Sequence, residues 1–253
     1  MKVLRNNIIF GNNIQIRNHM RIRILFFFIS SISLSYTQSA KIYFKKGNEK
    51  LDSNNFNDAI EYFNKALEID SLYTDAYFNR GFAKLWIEDY KGSWYDNSKV
   101  IELDSNYLNA FLNRAEASRE LGQYESALSD LNFVLLKGQI EASIFSSIGI
   151  TKGKMNDFEG SIYAINKAIE MDPDDLSYIY NRSLIEYDFK DYNGALRDLN
   201  IVLKSSPNDE WAIYHRGLTK IMMKDSDSGC EDLKKSSQLG NKLASEKIQQ
   251  YCH

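Results

Sequence analysis

The chain has 253 residues, 43% of them hydrophobic and 26% charged, with two prolines, Pro173 and Pro207. This is the composition of a globular protein rather than a disordered one, and so few prolines favour helices over a turn-rich all-β fold. Five of the 31 bases and none of the 34 acids lie in residues 1–40, so the remainder holds 26 bases against 34 acids, a net of −8. An acidic body argues against a nucleic-acid partner, because phosphate contacts need a basic surface.

The first element is an apolar run, Ile24 to Ser35, preceded by Arg21 and Arg23 and followed by the small or polar residues Ser35, Thr37, Ser39 and Ala40. A basic start, a short apolar stretch and a small-residue exit predict a secretory signal peptide over 1–39, cleaved between about Ser35 and Ala40. Twelve helical residues reach about 18 Å, against the roughly 30 Å of a bilayer core. The alternative is an uncleaved apolar anchor. Met20 offers a second start site, which would leave residues 1–19 outside the protein. No cysteine follows the run, which disfavours a bacterial lipid anchor.

From Ala40 the chain repeats. Six blocks of 34 residues, 40–73, 74–107, 108–141, 142–175, 176–209 and 210–243, follow without insertion or deletion. Position 8 of the blocks reads Gly47, Gly81, Ala115, Gly149, Ser183 and Gly217; position 20 reads Ala59, Ser93, Ala127, Ser161, Ala195 and Gly229. Small residues at fixed places in two helices mark where those helices cross closely. Position 4 is always large and apolar (Tyr43, Tyr77, Phe111, Phe145, Ile179, Ile213). Position 24 is apolar except at Asn97 (Phe63, Leu131, Ile165, Leu199, Leu233). Both prolines fall at position 32, between helices. Asn55, Asp89, Asp157, Asp191 and Asp225 share position 16, where a short acceptor caps the second helix. A last segment, Asn241 to Tyr251, is amphipathic, with Leu243, Ala244, Ile248 and Tyr251 on one side. It reads as a capping helix over the exposed end of a stack, within a 241–253 tail.

These columns resemble the tetratricopeptide-repeat family, over about 40–243. The departures are Asn97, the Lys137-Gly138 pair, and Ser226 where position 17 is otherwise aromatic. The resemblance implies an all-α fold, a right-handed α-solenoid of six helical hairpins with a C-terminal cap. It also implies a function: a protein–protein interaction scaffold that binds an extended protein segment along the concave face, built from positions 2, 5, 6, 9, 12 and 13 of the first helices. The alternative is a membrane-anchored regulatory or assembly subunit of a bacterial envelope complex.

On that face, Asn79, Asn113 and Asn181 stand at position 6, and a carboxamide can pair with a peptide's N–H and C=O together. Phe78, Phe82 and Trp86 recur every four residues as one stripe. Tyr180, Trp211 and Tyr214, with Tyr187, form a second aromatic group. Aromatics with polar neighbours are common binding anchors. Arg80, Arg114, Arg182 and Arg216 at position 7 are expected to pair with acids between hairpins. The lysines with which some family members grip a terminal carboxylate are absent, since those places hold Phe44, Phe78, Leu112, Asn109, Ser143 and Ser177.

Cys230 and Cys252 are the only cysteines. Two buried thiols and a bridge are both open on the residues alone. Similar exported repeat proteins end in the same cysteine-acid and tyrosine-cysteine arrangement, and that resemblance implies a disulfide. No catalytic constellation, phosphate loop or nucleophile motif is present, and His19, His215 and His253 have no metal partner at useful spacing. The expectation is a non-enzyme with no cofactor, no metal and no small-molecule substrate. Abundant Asn, Lys, Ile and Tyr suggest an AT-rich genome, and with export this places the protein in a bacterial periplasm or outside the cell.

Overall fold

A computed structural model describes residues 38–252; the apolar run Ile24–Ser35, and with it the signal-peptide expectation, lies outside them. The described residues form helices joined by short turns, with no strand among them. Helix α1 covers 38–52. It is followed by α2 (Phe56–Ile69), α3 (Thr74–Trp86), α4 (Tyr90–Leu103), α5 (Leu108–Glu120), α6 (Tyr124–Leu136) and α7 (Ala142–Lys154). Then come α8 (Phe158–Met171), α9 (Leu176–Asp188), α10 (Tyr192–Ser205), α11 (Glu210–Met222), α12 (Ser226–Gln238) and α13 (Lys242–Tyr251). Each odd helix from α3 to α11 begins at position 1 of its block and each even helix at position 17. The architecture is an all-α helical-repeat solenoid. It divides into two compact units, up to Asn113 and from Arg114, with the boundary inside α5.

The turn inside each hairpin is the same device six times over. Position 15 is left-handed in every block: Asn54, Glu88, Gly122, Asn156, Lys190 and Lys224 have φ between 55 and 74°. The next N–H returns to the carbonyl of position 11, as in Asp89 to Lys84 (2.9 Å) and Asp191 to Glu186 (2.8 Å). The position-15 N–H reaches position 12, as in Lys190 to Tyr187 (2.9 Å). This pair of bonds is a Schellman ending, which satisfies the last carbonyls of the first helix. Position 16 then caps the second helix through its side chain at Asn55, Asp89, Asp157, Asp191 and Asp225, but not at Gln123.

The crossings are tight. A Cβ on Gly217 would lie 2.9 Å from the Gly229 carbonyl oxygen and 3.1 Å from Leu233 Cγ. On Gly149 it would lie 3.1 Å from the Ser161 carbonyl oxygen. Gly81 faces Asn97 and Asp96, one turn beyond the Ser93 that shares its crossing in the repeat pattern. Asn97 is fully buried, donating to the Ser93 carbonyl at 2.9 Å and to Ser93 Oγ at 3.2 Å, with its Oδ1 unpartnered.

The arginines pair differently from the expectation. Their acid lies in the same hairpin, at position 23: Arg80 with Asp96, Arg114 with Asp130, Arg182 with Asp198 and Arg216 with Asp232, each through two bonds of 2.6–2.9 Å. The preceding hairpin supplies a carboxamide instead, with Asn64, Asn166 and Asn200 accepting from Nη1 of Arg80, Arg182 and Arg216. Sixteen residues in either direction bring these groups to one guanidinium, so the fork is filled from both sides. At the chain end, α13 lays Ala244 and Ile248 against Tyr214, Leu218 and Leu233, and Cys230 is disulfide-bonded to Cys252.

Candidate functional site

The first helices place a concavity in each compact unit. In the first, a cavity of about 490 Å³ is lined by Leu51 and Asp52 on α1, Phe78, Asn79 and Phe82 on α3, and Asn109, Leu112 and Asn113 on α5. Asn79 Nδ2 donates to Asn48 Oδ1 on α1 at 2.7 Å. Asn113 Nδ2 is buried without a partner. Phe78 packs at 4.9 Å against Tyr107. Trp86 stands outside the lining, 62% exposed, stacked on Phe56 at 5.4 Å and edge-on to Phe82.

In the second unit a cavity of about 360 Å³ lies along α7, α9 and α11. Ile150, Leu184 and Leu218, all at position 9, form one wall, and Tyr187, Phe189 and Tyr214 add rings. Gly153 also lines it, at a close helix approach where a Cβ would come 3.3 Å from Ser161 Oγ and 3.6 Å from Ile185 Cγ1. Lys154 and Asp188 supply opposite charges at position 13, and Asn181 and His215 occupy position 6. Asn181 Nδ2 donates to Ser146 Oγ at 3.3 Å. Tyr214 is a core residue, 6% exposed, that reaches the cavity from the side of the cap. Tyr180 and Trp211 lie outside the lining, Tyr180 edge-on to His215 and Trp211 edge-on to Tyr214.

Two groups here were not signalled by motif. His215 is flanked by Tyr180 and Tyr214, its Nδ1 is buried without a partner, and burial lowers its pKa to about 4. The imidazole is therefore neutral at neutral pH. Glu186, on the far side of α9 from the cavity wall, is 9% exposed with Oε2 unpartnered. Burial first, then the Asp198 charge, raise its pKa to about 7, against the pull of Arg182. Reading down position 11 would have exposed Glu186, because Lys50, Lys84, Lys152 and Lys220 hold that place elsewhere. By contrast, burial pushes Asp232 up but the bonds and charges of Arg216 and Lys220 outweigh it and hold its carboxyl low. Among the described residues no group of three His, Cys, Asp or Glu side chains is placed to hold a metal, and no helix is long and apolar enough to cross a membrane.

Paired helices, a 34-residue register, small crossings and a cavity on the first helices of each unit together define a helical-repeat protein. Residues 47–85 match the family model described as TPR repeat. The matched segment is a tetratricopeptide repeat, and the fold of the described residues is that of tetratricopeptide-repeat structures. No curated protein sequence matches the chain. Among solved structures, it is similar to a chain of the APC/C hetero-tetramer Cut9–Hcn1, with TM-score 0.71, 16% identity and 85% of this chain covered. The match spans 43% of that longer chain. It is similar also to a tetratricopeptide repeat protein from Parabacteroides merdae, with TM-score 0.63 and 16% identity over 85% of this chain and 100% of that one. A third likeness is to YrrB, described as a TPR protein with an unusual peptide-binding site, with TM-score 0.51 and 17% identity over 74% and 97% of the two chains. At identities this low the likeness shows the fold alone.

Proposed function

We propose that the chain is an interaction scaffold whose first helices hold an extended segment of a partner protein. One observation carries the reading. The two cavities, formed separately in the two compact units, are lined almost wholly by the same repeat positions, 2, 5, 6, 9, 12 and 13. Apolar residues at position 9 offer burial, and carboxamides at position 6 offer backbone pairing. The peptide-binding site described for YrrB and the assembly of Cut9 with Hcn1 are in keeping with it. The test compares capture of a partner from the native envelope fraction by the unaltered chain, by Leu184→Lys with Asn113→Ala, and by Tyr163→Ser on the exposed side of α8. Loss with the first pair and retention with the last is expected. Retention with the first pair and loss with Tyr163→Ser would place binding on the second helices.

We also propose that the protein is exported. The basic-then-apolar start and the Cys230–Cys252 bridge support this, because disulfides persist in oxidising compartments. N-terminal mass spectrometry of protein from its native host should find a start between about Ser35 and Ala40. An intact Ile24–Ser35 segment in the membrane fraction would favour the anchored subunit instead.

A further inference from the structure

Position 11 closes the polar cluster inside a hairpin. In the second and sixth hairpins it is a lysine that joins the arginine on the shared aspartate, Lys84 to Asp96 at 2.8 Å and Lys220 to Asp232 at 2.7 Å. In the first and fourth it is a lysine paired to an acid of the second helix or its cap, Lys50 to Asp58 and Lys152 to Asp157. The fifth hairpin reverses the sign. Glu186 points at α10, where Asp198 is already held by Arg182, and its carboxyl lies over Gly194, where a Cβ would come 2.6 Å from Cδ. The half-buried Arg182 spends its bonds on Asp198 and Asn166, and Glu186 Oε2 is left without a partner.

The charged groups that act on Glu186 are Arg182 on its own helix, Asp198 and Arg197 on α10, and Asp191 at the α10 cap; none comes from α7, α8 or α11. A buried carboxyl in that company is accommodated as the neutral acid. Its neighbours Ile185 and Tyr187 line the second cavity.

We propose that Glu186 is a proton-operated latch: protonated, it lets α9 pack on α10, and ionised, it loosens α9 and with it the cavity that α9 walls. The bearing on partner binding rests on the function proposed above, but the latch itself is read in the free protein, so either idea can fail alone. An acid whose pKa is raised by folding destabilises the fold progressively as pH climbs from its unfolded value to its folded one. The window here runs from about 4.5 to about 7. His215 acts in the opposite sense over an overlapping range, since its lowered pKa loses stability as pH falls below the ordinary histidine value. That effect is common to the native chain and to Glu186→Gln, and cancels in their difference.

The experiment melts both proteins across this range. The midpoint of Glu186→Gln should rise relative to the native chain by on the order of 5–10 °C between the two ends of the window. A constant difference overturns the latch. Should Glu186→Gln fold poorly, the Glu186 carboxyl is titrated by carbon-13 NMR in the unaltered chain, where a midpoint near the ordinary glutamate value overturns it and one near neutrality sustains it. Amide exchange of α9, corrected for intrinsic pH dependence, should speed at least several-fold more than that of α7 as the carboxyl ionises; equal behaviour of the two helices would sink the link to the cavity.

Discussion

Asn97 gives the sharpest test of the packing. It occupies the place of Phe63, Leu131, Ile165, Leu199 and Leu233, all 0–3% exposed, and is itself 0% exposed. Its amide makes two short-range bonds to Ser93 while its Oδ1 has none. Asn97→Leu removes a buried orphan acceptor, worth about 1–3 kcal/mol, and adds apolar burial of about 1.5–3 kcal/mol. Against this stand two lost hydrogen bonds at about 1 kcal/mol each. The leucine fits, because Gly81 lies opposite and Gly217 already faces Leu233 in the sixth hairpin. The expected net gain is about 0.5–4 kcal/mol, which for a protein of this size raises the melting midpoint by roughly 1–16 °C. Far-UV circular dichroism reads it. A midpoint that stays or falls would mean that the amide's bonds to Ser93 outweigh its orphan carbonyl, and that the asparagine is a stabilising choice.

Lys190 is exposed with φ 69°, so Lys190→Gly should relieve left-handed strain and gain about 0.5–1 kcal/mol in denaturant melts; an unchanged midpoint would mean the Schellman bonds bear no strain. Gly217→Leu should cost about 1–3 kcal/mol by overpacking against the Gly229 carbonyl, measurable by calorimetry. Cys252→Ser opens a bridge with a sequence separation of 22, for which loop entropy gives about 3 kcal/mol; the loss should appear first as faster amide exchange in α13. Full protection of α13 without the bridge would show that Ala244 and Ile248 hold the cap alone.

The helix starts were legible because they follow columns of like residues, and small side chains at positions 8 and 20 leave the backbones little choice of crossing. The turn was not legible. Left-handed backbone is usually signalled by glycine, yet only Gly122 among the six position-15 residues is one. The hydrogen bonds of the helix ending hold Glu88, Lys190 and Lys224 there, and those bonds are invisible until the helix is built. The placement of the candidate-site residues was legible in part. Phe78, Phe82, Asn79, Asn113, Asn181 and Tyr214 line cavities, whereas Trp86, Tyr180 and Trp211 have rings against neighbouring rings and stand aside. A sequence pattern gives the face a side chain starts from. It does not give the partner that turns it away.

Positions 7 and 23 carry a signal that single columns hide. Four hairpins hold arginine and aspartate there, with the aspartates 0–7% exposed. The fourth hairpin changes both at once, to Ile148 and Ala164, each buried. The first also changes both, to Lys46 and Tyr62, with the ammonium 5.8 Å from the ring centre. Losing one member of a buried ion pair costs about 3–5 kcal/mol because the other is left uncompensated, while replacing both by packed apolar groups costs little. The two columns must therefore change together, and reading them jointly finds the pairing inside the hairpin that either column alone leaves open. Position 11 obeys the same accounting as a lysine in four hairpins and a serine in the third. Glu186 breaks it, adding a second acid to which no base is bonded, and a proton on its unpartnered carboxyl removes the uncompensated charge.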